Sequence, residues 1–145
     1  MDPKRRVLFL CTGNSCRSHM GEGLLRSLAG DRFESLSAGS QPAGYVHPVA
    51  IRVMAELGID IQSHVSEDVR KYLPPDGTPP DVIISVCDSA DRNCPVFPGN
   101  VRRLRWPLVD PAAVADPDEQ LELARRVRDE LRERITSAIE NGDLD

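Results

Sequence analysis

Short apolar runs that alternate with stretches of helical period constrain this 145-residue chain more than any other feature of it. Val7-Leu8-Phe9-Leu10 is a continuous apolar run ending at Cys11 in a polar turn, the pattern of a strand buried on both faces of a parallel sheet. After the turn, Met20, Leu24, Leu25 and Leu28 recur at helical spacing, and Gly30 is placed to stop the helix. Phe33 to Ala38 reads as a second strand closed by Gly39. Pro48 then opens a helix carrying Val49, Ala50, Val53, Met54 and Leu57, with Gly58 past its end. Asp81 to Val86 reads as a third strand after the proline-rich loop 74–80, and Val101 to Trp106 as a short fourth. The last helix has Asp116 as N-cap, Pro117 at its first position and Glu119 in a capping-box-like start. Leu121, Ala124, Val127, Leu131, Ile135 and Ala138 share one of its faces, and Gly142 ends it.

Such alternation predicts an α/β fold in three layers, an open parallel four-stranded sheet with helices on both faces. In the flavodoxin-like strand order 2-1-3-4, a site would lie beyond the C-terminal strand ends. A single domain over residues 1–145 is expected, because this length supports one core.

Charged residues of mixed sign make up 28% of the chain and the net charge is −5, so no cationic surface for nucleic acid or acidic membranes is expected. Lys4-Arg5-Arg6 before an apolar run has the look of a secretory signal, but the run stops after Leu10, short of the ~7–15 residues such a segment needs. No stretch approaches the ~18 apolar residues of a membrane span. The expectation is a cytoplasmic monomer, with four cysteines kept as thiols and more suited to catalysis or metal binding than to a structural framework.

Cys11-Thr12-Gly13-Asn14-Ser15-Cys16-Arg17-Ser18 sets a cysteine and an arginine six positions apart on a strand-to-helix turn. Such a turn can point successive backbone N–H groups inward as an anion nest, and the following helix adds the positive end of its dipole. Both favour a bound tetrahedral oxyanion, and both favour the thiolate of Cys11, the nucleophilic form. Arg17 can grip two oxygens at once, which a lysine could not. Cys16, inside the loop, is read as a packing residue. The bland alternative is an incidental cysteine and an arginine on a solvated helix.

The pattern C-x-x-x-x-x-R-[ST] directly after an N-terminal strand resembles the phosphate-binding loop of the low-molecular-weight tyrosine phosphatases. The variant Cys-Thr-Gly-Asn-Ser-Cys-Arg-Ser is more similar to that of thioredoxin-coupled arsenate reductases, which share the fold. The similarity continues through Met20, Glu22-Gly23, Ser37-Ala38-Gly39, Gly58-Ile59-Asp60-Ile61, Cys87 to Pro95 and Asp110-Pro111-Ala112. It implies that residues 11–18 bind arsenate, with phosphate as a competing oxyanion, that Cys11 attacks it, and that Asp110 is the general acid. It further implies that Cys87 and Cys94 carry the oxidation away as a disulfide, which thioredoxin or a glutaredoxin-type reductant re-reduces. The alternative is a phosphatase that hydrolyses phosphoesters through a phospho-cysteine at Cys11. Ala112 stands where such phosphatases usually place an aromatic residue, and a small inorganic substrate fits that position better.

On strands ~4.8 Å apart, Cys11 and Cys87 fall within the ~4.4–6.8 Å Cα separation of a disulfide if the first and third strands are neighbours. A helical 87–94 segment would hold Cys87 and Cys94 about 10 Å apart, so their pairing requires it to unwind. Asp88, Ser89, Asp91 and Asn93 are residues that compete with helical backbone bonding. The six-residue gap between Cys87 and Cys94 is too long for usual zinc spacing, and neither metal nor cofactor is expected. Asn14, Glu22 and Ser37 resemble residues that brace the loop and in some relatives bind potassium. Val65-Ser66-Glu67 departs from the Thr-Ser-Asp of those relatives, which weakens the case for the ion. His47 and His64 read as helix-end or loop residues, His19 as lying on the outer turn of the first helix, and Trp106 as packing.

Overall fold

The computed structural model describes residues 3–145, with backbone only for Ser89 and Asp91. Four parallel strands, β1 (Arg5–Cys11), β2 (Phe33–Gly39), β3 (Val82–Ser85) and β4 (Arg102–Arg105), form one sheet in the order β2-β1-β3-β4. β1 lies at its centre, and Val7 to Cys11 are all buried, because helices cover both of its faces. β4 is a sheet edge, and Arg102, Arg103 and Arg105 keep that edge exposed and charged, which discourages pairing with another chain.

Four helices connect and cover the strands: α1 (Arg17–Ala29), α2 (Pro48–Ala55), α3 (Asp88–Asn93) and α4 (Pro117–Asn141). Phe9, Met20, Leu24, Met54, Ile84, Leu131 and Ile135 form the larger core between the sheet and α1, α2 and α4. Leu8, Leu10, Ile83, Ala90 and Phe97 form a smaller one on the opposite face. α4 starts as its sequence dictates: the Asp116 side chain accepts from the Glu119 N–H at 2.9 Å, and Pro117 fills the first position. It stops at Gly142, whose φ of 75° only glycine adopts cheaply. Leu131 is fully buried on this helix. Leu131→Ala is expected to destabilise the fold by roughly 2–5 kcal/mol, read as a lower denaturant midpoint at unchanged slope.

The sequence-derived elements are all present, with three local differences. α2 ends at Ala55 and reaches Gly58 through a turn in which Ile59 N–H bonds to the Met54 carbonyl. Gly30 caps α1 in a right-handed conformation, φ −64°, rather than a left-handed one. Leu28, expected on the apolar face of α1, is 41% exposed. Among the described residues, no helix is long and apolar enough to cross a membrane.

Candidate active site

β1 delivers Cys11 to the C-terminal edge of the sheet, beside Gly39 of β2 in the strand register. A Cβ on Gly39 would stand 2.6 Å from the Thr12 carbonyl oxygen and 2.9 Å from the Asn14 nitrogen. Glycine at that position is what lets the loop after Cys11 lie flat against the end of β2.

The carbonyls of the loop are turned outward. Those of Cys11, Thr12, Gly13 and Ser15 accept from the N–H groups of Ser40, Gln41, Ala43 and His47, at 3.3, 2.9, 2.7 and 2.7 Å. The Asn14 carbonyl accepts from His19 Nε2 at 2.8 Å. In a planar trans peptide the N–H of the next residue points opposite to each carbonyl. The N–H groups of residues 12–16 therefore turn into the hollow that the loop encloses, the nest its sequence predicts. Asn14 makes the bend with a φ of 45°, a left-handed conformation that asparagine tolerates better than most residues. α1 begins at Arg17 with no acidic residue in its first turn, so the protein leaves the positive helix end for an anion.

Asn14 also sets the direction of a hydrogen-bond chain to the nucleophile. Its Nδ2 donates to Ser18 Oγ at 2.8 Å, so the Ser18 hydroxyl is left to donate to Cys11 Sγ, 2.9 Å away. That is the bond a thiolate accepts. Cys11 is 2% exposed, and a substrate must enter the loop to meet it.

Arg17 is fixed by Nη1 donating to the Leu108 carbonyl at 2.9 Å, and its Nη2 lies 3.6 Å from Asp110 Oδ2. Its Nε is buried and without a protein partner among the described residues. A buried guanidinium N–H in that condition is costly unless a ligand accepts it. Asp110 caps the 3₁₀ turn Pro111–Ala113 by accepting from Ala112 N–H at 3.0 Å, which aims its other oxygen at Arg17. Leu108 was invisible to sequence reasoning because it acts through its backbone.

Cys16 is buried, and burial, followed by the negative charges of Asp110 and Cys11, pushes its thiol up to about 12. Its side chain is packed into the larger core cluster.

The register pairs Leu10 with Ser85, and continuing it sets Val86 rather than Cys87 beside Cys11. Cys87 instead contacts the next loop residue, its Sγ 3.2 Å from Thr12 Oγ1, while capping α3 by accepting from Ala90 N–H at 3.4 Å. Cys94 caps the other end of α3. The 88–93 segment, whose composition suits unwinding, is helical in this state; the side chains of Ser89 and Asp91 lie outside the described residues. None of the four cysteines is bridged to another.

His19 is not on an outer turn. It is fully buried beneath the loop, because α1 enters the fold under Asn14 and its first turn is enclosed on every side. Its three-residue spacing from Glu22 was the available signal that the two share a face. Ser37 Oγ donates to Glu22 Oε1 at 2.6 Å, and Arg26 Nη2 donates to Oε2 at 2.6 Å. Burial would raise the Glu22 carboxyl, but hydrogen bonds from Ser37 and Arg26, with His19 and His64 close by, hold it down to about 2. Glu67 faces Lys71 and Tyr72 instead, and Asn14 Oδ1 accepts from Glu67 N–H at 2.7 Å.

Residues 6–141 match the model of the low molecular weight phosphotyrosine protein phosphatase family, and the chain belongs to that family. Within it, the chain is 40% identical over 134 residues to arsenate reductase 2 of Staphylococcus haemolyticus, covering 92% of this chain and 95% of that one. It is similar in structure to an arsenate reductase in the oxidized state, with a TM-score of 0.78 at 30% identity over 97% of this chain and 99% of the other. It is also similar to a thioredoxin-dependent arsenate reductase of Corynebacterium glutamicum, with a TM-score of 0.70 at 28% identity, over 97% of this chain and 64% of that one.

Proposed function

We propose that this protein reduces arsenate to arsenite, with Cys11 as nucleophile and Cys87 and Cys94 as the pair that carries the oxidation away. The observation that carries the oxyanion site is the inward-facing loop around Cys11, with the buried Arg17 Nε left for a ligand. The similarity to arsenate reductases supports arsenate as the oxyanion.

Arsenate sits in the loop with oxygens on the N–H groups and on Arg17. The Cys11 thiolate attacks arsenic in line and a sulfur–arsenic bond forms. The oxygen opposite leaves as water, protonated by Asp110. Cys87 thiolate then attacks Cys11 Sγ; the sulfur–arsenic bond breaks and its electron pair stays on arsenic, which departs as arsenite. Cys94 thiolate attacks Cys87 in turn, releasing Cys11 and leaving a Cys87–Cys94 disulfide. An external dithiol protein of the thioredoxin type returns that disulfide to thiols, as the name of the Corynebacterium relative suggests.

Both transfers need movement. Cys87 lies against Thr12 and must turn its sulfur toward Cys11. Cys87 and Cys94 cap the two ends of α3, roughly 10 Å apart along its axis, so α3 unwinds before they meet. Phosphoester hydrolysis is a side reaction of the same loop, consistent with the family.

Disulfide mapping by mass spectrometry after one arsenate turnover tests the relay. A Cys87–Cys94 bond is expected in the parent and a trapped Cys11–Cys87 bond in Cys94→Ser, with thioredoxin-dependent multiple turnover lost in both Cys87→Ser and Cys94→Ser. Aryl phosphate hydrolysis should survive both changes. A Cys11–Cys16 product would overturn the assignment.

A further inference from the structure

We propose that His19, His64 and Glu22 form a binding site for a divalent transition metal ion of the zinc type, directly beneath the oxyanion loop. His19 Nδ1 and His64 Nδ1 are 3.2 Å apart, and Glu22 Oε1 lies 3.7 Å from the first and 3.4 Å from the second. A circle through three atoms with those separations has a radius of about 2.0 Å, which matches zinc–nitrogen and zinc–oxygen bonds of ~2.0–2.2 Å. An ion near the centre of the triangle reaches all three ligands without moving the backbone.

The hydrogen bonds around the triangle fix which lone pairs face it. His19 Nε2 faces the Asn14 carbonyl, which can only accept, so Nε2 carries the proton and Nδ1 turns a lone pair inward. An imidazole that ligates through one nitrogen while its other N–H is held by a carbonyl is the usual outer arrangement of a metal-bound histidine. His64 Nε2 is 3.0 Å from Arg26 Nη1, which can only donate, so the His64 proton sits on Nδ1 and points at His19. Arg26 thus supplies the positive charge that an ion would supply. Its side chain is 50% exposed and can swing out, letting the His64 proton move to Nε2 and Nδ1 turn to the ion, with no proton released.

Two imidazoles and one carboxylate select a borderline transition ion over magnesium or potassium. Glu22, Arg26, Ser37 and His64 line an open groove, which gives the ion a path in. Ser37 Oγ, 3.3 Å from His19 Nδ1, or a water completes the coordination. Through the Asn14 carbonyl the ion would stiffen the loop that carries Cys11. The site does not depend on which reaction that loop performs.

Zinc titration of the reduced full-length protein by calorimetry, with diffraction at the zinc absorption edge, tests the proposal. The expected result is an anomalous peak within bonding distance of His19, His64 and Glu22, and binding at least tenfold weaker in both H19Q and H64Q. Glutamine at position 19 keeps an amide to donate to Asn14. Arg26→Ala removes the competing guanidinium and should bind zinc more tightly than the parent, a gain that misfolding cannot mimic. Zinc found only at the cysteines, affinity unchanged in both histidine variants, or no binding at micromolar zinc overturns the site.

Discussion

Cys11→Ser is expected to lower arsenate turnover by at least about 10⁴-fold while leaving phosphate binding nearly intact. The two effects separate because the loop binds through backbone N–H groups and Arg17, none of which the substitution removes. Reduction needs a sulfur twice over, once as a nucleophile ionised near neutral pH and once as the atom that Cys87 attacks to leave the electrons on arsenic. A serine hydroxyl does neither. The Ser18 hydroxyl and the Asn14 amide would still meet the new oxygen, so the loop has no reason to collapse. Single-turnover arsenite release and phosphate titration of the same preparation make the comparison. Turnover within tenfold of the parent would exclude Cys11 as nucleophile.

Arg17→Lys is the second large effect, expected to reduce arsenate turnover roughly 10²–10³-fold, the loss found when one donor to a developing oxyanion is removed. Lysine keeps the charge, so an electrostatic role alone predicts little change. What it loses is the planar fork: Nη1 anchored on the Leu108 carbonyl, Nη2 beside Asp110, and Nε held over in a buried position for the ligand. An ammonium cannot hold that anchor and offer a fixed donor to two oxygens together. Phosphate affinity should fall along with turnover, unlike in Cys11→Ser. Equal turnover in Arg17→Lys and the parent would show that charge, not geometry, is what position 17 supplies.

The sequence determined the layers and the loop, and the strand order followed from the flavodoxin-like fold it implied. The apolar runs at Val7–Leu10 and Val82–Ile84, the caps at Asp116 and Gly142, and the cysteine and arginine on one strand-to-helix turn are local patterns with local causes, and the structure keeps each of them. Tertiary structure alone decided the rest. Whether Cys87 faces Cys11 or Thr12 depends on a one-residue offset between strands that are distant in the chain, and an offset of one changes the face a side chain occupies. The anchor for Arg17 is a carbonyl at Leu108, and a carbonyl carries no residue-type signal. In the sequence His19 carries no mark that separates it from a surface histidine; burial under Asn14, and the meeting with His64 across 45 residues, come from the way α1 enters the fold. Patterns of period and capping are written along the chain, whereas contacts between its distant parts are settled only when the sheet closes its register.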